Sequence, residues 1–338
     1  MRFTMSMAAV AATIFFGLGT PSPAQAETPT LRILTYESFT SEWGPGPAIK
    51  PAFEKECGCT LEFVSVEDGA ALLSRLKLEG ASSKADLVLG LDTNLTADAA
   101  ATGLIAEHGL DLSKLDIPIA WSDKQFVPFD YGWFAFVYDK TRLANPPQSL
   151  ADLVKGDPKE KIVIEDPRTS TPGLGLLMWV RKVYGDKAPE FWASLKPRVL
   201  TVTKGWSEAY GIFLKGEAAM VLSYTTSPSY HLIAEKDDKY AAANFAEGNY
   251  LQVEVAAKLA HAHEPALADK FLAFMLTPAF QSTIATTNWM YPVKMPPEGL
   301  PQGFAAPLSK DKTLLFTPEE AAQHRRDWVD EWLKAMSR

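Results

Sequence analysis

Four rings stand beside short hydroxyl residues between Thr203 and Tyr230 (TKGWSEAYGIFLKGEAAMVLSYTTSPSY): Trp206, Tyr210, Tyr224 and Tyr230 fall at two predicted loop openings. A packed core takes rings without polar company, whereas a pocket for a flat polar ligand needs ring faces and a few orienting groups. Ser170-Thr171, in DPRTSTPGLGL, lies between a predicted strand and a predicted helix with Pro172 at its first position. Free amides and two hydroxyls at a helix start make an anion site. Tyr224-Thr225-Thr226-Ser227 repeats the arrangement at a strand end before Pro228, with turn chemistry alone as the competing reading. Asp68, before Gly69 in VEDGAALL, sits where a helix N-cap is expected, and a capping carboxylate still has lone pairs to offer a ligand.

Catalytic and metal patterns are weaker. Gly173 and Gly175 supply a G-x-G, but Met178 stands where a dinucleotide fingerprint needs its third glycine, and no phosphate-loop motif occurs. No Ser-His-Asp set is recognisable; the five histidines are dispersed, and His261-Ala262-His263-Glu264 reads as a solvated loop. A binding protein without catalytic residues, cofactor or metal is expected. The two cysteines, Cys57 and Cys59, flank Gly58. A disulfide is the favoured reading in an exported chain, and a free or redox-active pair is the alternative. A ring this small restrains the unfolded chain only slightly.

Export is read from the N-terminus. Arg2, the apolar run Met7 to Gly19, and Ala24-Gln25-Ala26 form a signal peptide over residues 1–26, cleaved after Ala26. The apolar run is too short to span a bilayer. Cleavage leaves 312 of the 338 residues, more than one core usually serves, so two lobes are expected. The mature chain holds 32 Lys+Arg against 41 Asp+Glu with no basic run, which excludes nucleic acid and anionic membrane as partners.

The elements that must position these groups alternate as in parallel α/β layers. Strands are predicted at Leu31 to Thr35, Thr60 to Val66 and Ala85 to Leu91, with helices at Pro47 to Lys55 and Gly69 to Glu79. Phe126 to Tyr138 (FVPFDYGWFAFVY) reads as an extended segment passing between lobes. A second α/β unit follows: strands at Ile162 to Glu165, Val199 to Val202 and Ala219 to Ser223, helices at Leu174 to Tyr184 and Ser207 to Leu214. Gln252 to Ala256 reads as a return strand, then helices over Pro265 to Leu276 and Pro278 to Ala285. Thr317 as N-cap, Pro318 and Glu320 open a C-terminal helix over residues 317–336. The expected lobes are residues 27–130 with 252–300, and residues 139–250, giving a two-lobed solute-binding protein that closes by a hinge.

The strings YESFTSEWGPGPAIKPAFE, EDGAALLSRLKLEG, SKADLVLGLD, FVPFDYGWFAFVYDK, NPPQSL, DPRTSTPGLGL, VTKGWSEAYGIFLKGE, LSYTTSPSYH and NWMYPV sharpen this reading. In order and over nearly the whole mature chain, they resemble the thiamine-binding proteins of bacterial ABC transporters. The resemblance implies a type II binding-protein fold, α/β and two-lobed, that captures thiamine, its monophosphate or its diphosphate in the periplasm and delivers it to a membrane permease, acting as a monomer. It also implies ring contacts from Tyr36, Trp43, Trp206, Tyr224, Tyr230 and Trp289 and a further contact from Asp68-Gly69, while the hydroxyls of Ser170-Thr171 and of Thr225 to Ser227 are read as recognising the phosphate or hydroxyl tail of such a ligand. Trp179, Trp192, Trp328 and Trp332 are left to the core. Glu37 and Trp133 depart conservatively from the family pattern, where Asp and Tyr are common. Competing readings are the same fold with another cationic or phosphorylated solute, such as a polyamine or phosphonate, a ferric-ion carrier, and a thiamine-degrading enzyme with a cysteine nucleophile.

Overall fold

A computed structural model describes residues 28–337, so the expected signal peptide lies outside the described residues. The strands are β1 (Thr30–Tyr36), β2 (Thr60–Val66), β3 (Leu87–Asp92), β4 (Val127–Asp139), β5 (Ile162–Glu165), β6 (Val199–Thr203), β7 (Met220–Tyr224), β8 (Tyr240–Ala242), β9 (Asn249–Lys258), β10 (Tyr291–Pro292) and β11 (Thr313–Leu314). The helices are α1 (Glu37–Thr40), α2 (Pro45–Cys57), α3 (Gly69–Glu79), α4 (Thr96–Ala100), α5 (Leu150–Lys155), α6 (Thr171–Tyr184), α7 (Ala188–Leu195), α8 (Trp206–Leu214), α9 (Ser227–Tyr230), α10 (Pro265–Phe274), α11 (Pro278–Thr283) and α12 (Pro318–Ser337).

The sheet order is β2-β1-β3-β9-β4-β7-β5-β6, and β4 belongs to both lobes. Its first half, Val127 to Trp133, runs antiparallel to β9; its second half, Phe134 to Tyr138, runs antiparallel to β7. Thus the aromatic segment read as an extended crossing is a buried 13-residue strand. Strand β9 crosses back, pairing with β4 over Leu251 to Ala256 and with β3 over Glu254 to Lys258. Parallel pairs β1–β2, β1–β3, β5–β6 and β5–β7 complete the two α/β halves. Because β4 and β9 are the strands shared between the halves, a hinge between lobes must act through them.

Helix α12 ties the halves together at the back. Arg325 bonds Asp98 of α4 at 2.6 Å, while Arg181 of α6 pairs with Glu331. Its start is a reciprocal cap: Thr317 N–H donates to Glu320 Oε2 and Glu320 N–H to Thr317 Oγ1. Among the described residues no helix is long and apolar enough to cross a membrane.

The sequence reading needs correction at α6, α8 and α7, and it does not foresee α1, α4, α9 or the short strands β8, β10 and β11. Helix α6 begins at Thr171, with Ser170 as its cap, rather than with Pro172 at the first position, because the Ser170 hydroxyl accepts the Gly173 amide. Helix α8 begins at Trp206, so its indole lies on the first turn. Helix α7 was not anticipated; Lys187-Ala188-Pro189 opens it and buries Phe191 and Trp192.

Candidate ligand-binding site

Three helix starts from the two halves converge on Asp68. The residue caps α3 through its Oδ1, which accepts the Gly69 amide at 2.8 Å, while Oδ2 accepts the Ser170 hydroxyl at 2.9 Å from the α6 cap. Burial raises the carboxyl's pKa, and the Gly69 amide, the Ser170 hydroxyl and the Trp206 amide at the α8 start lower it again. The helix start read as an anion site therefore already faces a protein carboxylate. Gly69 is needed here: a Cβ would fall 2.2 Å from Thr171 Oγ1 and 2.6 Å from the Gly90 carbonyl. The Ala71 amide, one turn into α3, donates to the Thr169 carbonyl at 3.0 Å, so the two walls touch.

The rings gather beside this junction. Trp206 stacks on Tyr210 with centroids 4.9 Å apart and meets Trp43 edge-on at 6.1 Å across the cleft. Trp43 is half exposed at the rim. Trp206 Nε1–H donates to Ser223 Oγ at 2.7 Å, and Ser223 also bonds Ser227 Oγ at 2.7 Å. Ser227 accepts the Tyr224 amide as well, so its hydroxyl serves the turn as the competing reading required. By contrast, the hydroxyls of Thr171, Thr225 and Thr226 are buried without partners.

Tyr230 and Trp289 meet edge-on at 5.3 Å, and Phe304 lies parallel to Trp289. Trp289 has φ 56°, a left-handed conformation that costs a bulky residue on the order of 1–3 kcal/mol and is characteristic of functional sites. Its neighbour Asn288 donates to Asp130 Oδ2 at 2.5 Å and to the Tyr36 hydroxyl at 3.2 Å. The Tyr36 ring fits only because Gly90 sits opposite, at the bulge between Leu89 and Leu91 with φ 107°; a Cβ there would lie 2.2 Å from Tyr36 Cδ1.

Tyr224 lies amid four buried carboxylates. Burial raises the pKa of its hydroxyl, and Glu254, Asp68, Asp130 and Glu165 all push it further. Both oxygens of Glu165 lack any partner although the residue is 1% exposed. No Lys or Arg among the described residues hydrogen-bonds any of the four. Charges buried without a cation are costly, so this arrangement asks for a positive ligand.

The structure thus brings together Tyr36, Trp43, Asp68, Gly69, Ser170, Thr171, Trp206, Tyr224 to Ser227, Tyr230 and Trp289. Cys57 and Cys59 are joined by a disulfide at the far end of α2, about 20 Å of helix from Trp43, and take no part. Sequence reasoning missed Asp130, Glu165, Glu254 and Asn288. A usable signal existed for the acids: each is a lone carboxylate in a predicted apolar strand, in VPFDYGW, IVIE and LQVEVAA.

Comparison with known proteins agrees with the geometry. Residues 82–325 match the family model described as bacterial extracellular solute-binding protein. The chain is 57% identical over 317 residues to the thiamine-binding periplasmic protein of Salmonella typhimurium, covering 94% of this chain and 96% of that one. It is 57% identical over 310 residues to the thiamine-binding periplasmic protein of Escherichia coli, covering 92% and 94%. A solved periplasmic thiamin binding protein superposes with a TM-score of 0.89 at 55% identity, covering 95% of this chain and all of that one. With two lobes sharing β4 and β9, and aromatic walls closing on buried acids, the chain belongs to the periplasmic thiamine-binding proteins within the bacterial extracellular solute-binding family.

Proposed function

We propose that this protein is the extracytoplasmic binding component of an ABC importer, which captures thiamine between its aromatic walls and hands it to the membrane permease. The observation that carries this reading is the set of buried, cation-free carboxylates around Tyr224, ringed by Tyr36, Trp206, Tyr230 and Trp289. Thiamine joins a permanent thiazolium cation to a flat aminopyrimidine, and the two halves of the site supply charge and ring faces to match. A ring over a cation contributes roughly 0.5–2 kcal/mol, so several such rings account for a large share of a tight complex.

Asp68 and Glu165 balance the cation, and the unpartnered hydroxyls of Thr171, Thr225 and Thr226 bond the hydroxyethyl tail or, in the mono- and diphosphate, its ester oxygens. The protein acts as a monomer in the periplasm after cleavage behind Ala26, with lobes of residues 27–130 plus 252–300 and 139–250 rocking about β4 and β9. Purified mature protein, refolded free of carried-over ligand, is titrated with thiamine and both esters by tryptophan fluorescence and calorimetry. A saturable one-to-one response at submicromolar concentration is expected. Silence toward all three overturns the reading.

A further inference from the structure

Strands β3, β9 and β4 lie side by side, and their registers set Asp92 opposite Glu254 and Glu254 opposite Asp130. Three carboxylates therefore form a row across the crossing strands, with exposures of 0, 6 and 0%. Like charges directly opposite one another disfavour a sheet, and two carboxylates sharing one site do not both ionise. Neutral groups hold them: the Tyr36 hydroxyl donates to Glu254 Oε2 at 2.8 Å, Gln252 Nε2–H to Glu254 Oε1 at 2.7 Å and Asn94 Nδ2–H to Asp92 Oδ2 at 2.9 Å. Asn288 holds Asp130 Oδ2, but Asp130 Oδ1 and Gln252 Oε1 are buried with no partner.

The charged and titratable groups facing the row come from every packed element. Tyr36 approaches from β1, Asp68 from the α3 cap and Tyr224 from β7, with Glu165 of β5 beside Tyr224. Arg325 of α12 acts on Asp92, but it is bonded to Asp98. No Lys or Arg among the described residues hydrogen-bonds any of the three carboxylates. Burial pushes the Asp130 carboxyl up to about 7, and burial with the Asp130 charge pushes Glu254 well above the ordinary range.

We propose that the Asp130–Glu254 pair holds one proton in the absence of ligand and releases it when a cationic ligand enters, so that cation capture and proton release are linked. The carboxyl O–H bond breaks, the proton passes to solvent, and the ligand's fixed positive charge replaces it. The pair lies on the two strands shared by the lobes, so the exchange occurs where closure is felt. This inference rests on the reading that the ligand is a thiazolium-type cation.

Calorimetric titration with thiamine in phosphate and in Tris, at one pH near neutrality and one ionic strength, separates the two ideas. The difference in observed enthalpy divided by the difference in buffer ionisation enthalpy counts protons, and a release close to one per thiamine is expected. Affinity then rises about tenfold per pH unit below the titration of the pair. Glu254→Gln and, independently, Asp130→Asn abolish most of that release. Thiamine binding with no dependence on buffer overturns the linkage while leaving the ligand assignment standing; undiminished release in a folded Glu254→Gln or Asp130→Asn protein overturns its assignment to this pair. Absence of binding in every buffer overturns the thiamine reading itself.

Discussion

Replacing Trp206 by alanine removes interactions of two kinds, and the structure separates them. The stack on Tyr210, with planes 25° apart, and the bond to Ser223 lie within one lobe and exist whether or not ligand is present. Their loss falls on folding. Because Ser223 keeps Ser227 as a partner, no buried hydroxyl is orphaned, and the cost is about 1–2 kcal/mol. The edge-on meeting with Trp43 crosses between the lobes, and the free ring face is offered to the ligand, so both bear on binding. An aromatic pair contributes roughly 0.5–1.5 kcal/mol and a cation over indole roughly 0.5–2 kcal/mol, so together about 2–3 kcal/mol of binding is lost. Thiamine affinity should fall about 30- to 150-fold. Trp206→Phe retains a ring face and an edge and should lose less than about fivefold. Calorimetry reads the affinities, and thermal melting monitored by circular dichroism checks that each variant folds. A cooperatively melting Trp206→Ala protein that binds within about twofold of wild type refutes the argument. A phenylalanine variant as weak as the alanine one would transfer the effect from the ring face to the indole N–H.

Three further outcomes follow from the buried groups. Glu165→Gln removes a carboxyl that burial and the Asp68 charge hold well above its usual pKa, so the ligand-free protein should melt no lower while thiamine affinity drops about tenfold; a lower melting temperature with unchanged affinity would contradict this in differential scanning fluorimetry. Asp92 and Asp130 are raised from 3.8 to about 7, so the folded state keeps protons that the unfolded chain gives up. Their contribution is full below pH about 4 and is lost as pH rises through about 7, on the order of 4 kcal/mol for one group, so ligand-free melting temperatures should fall between pH 5 and 8 and the gain from thiamine should grow. A melting temperature that climbs across that window would show the acids to be compensated. Gly90→Ala places a methyl against the Tyr36 ring at a φ of 107°, and should lower stability by more than about 2 kcal/mol and weaken thiamine binding together, read by melting and titration of one sample. Wild-type-like behaviour in both would show that the ring is free to move.

The elements themselves were legible because each carries local signals. Asp68 before Gly69, and Thr317 three residues before Glu320, mark helix starts through capping bonds the structure contains. Val199 to Thr203 and Thr60 to Val66 declare themselves by β-branched runs. The rings of Trp206, Tyr224 and Tyr230 stood out because polar neighbours accompany them. Helix α7 was less legible, since a short helix has few residues over which a period can show, and the first turn of α6 was misplaced because Pro172 masks the Ser170 cap before it.

Sequence alone determined the longer strands and helices, the caps at Asp68 and Thr317, and the aromatic residues available for a ligand, all of which depend on contacts a few residues long. The acid row was decided only by tertiary structure. Asp92, Asp130 and Glu254 are scattered through the chain, and their alignment follows from the registers of β3, β9 and β4, where a slip of one residue would turn each side chain to the other face. The meeting of three helix starts on Asp68 likewise needs both lobes in place. Burial by distant segments raises the pKa of those carboxylates and makes their ionised form depend on an added cation, and no local pattern encodes it.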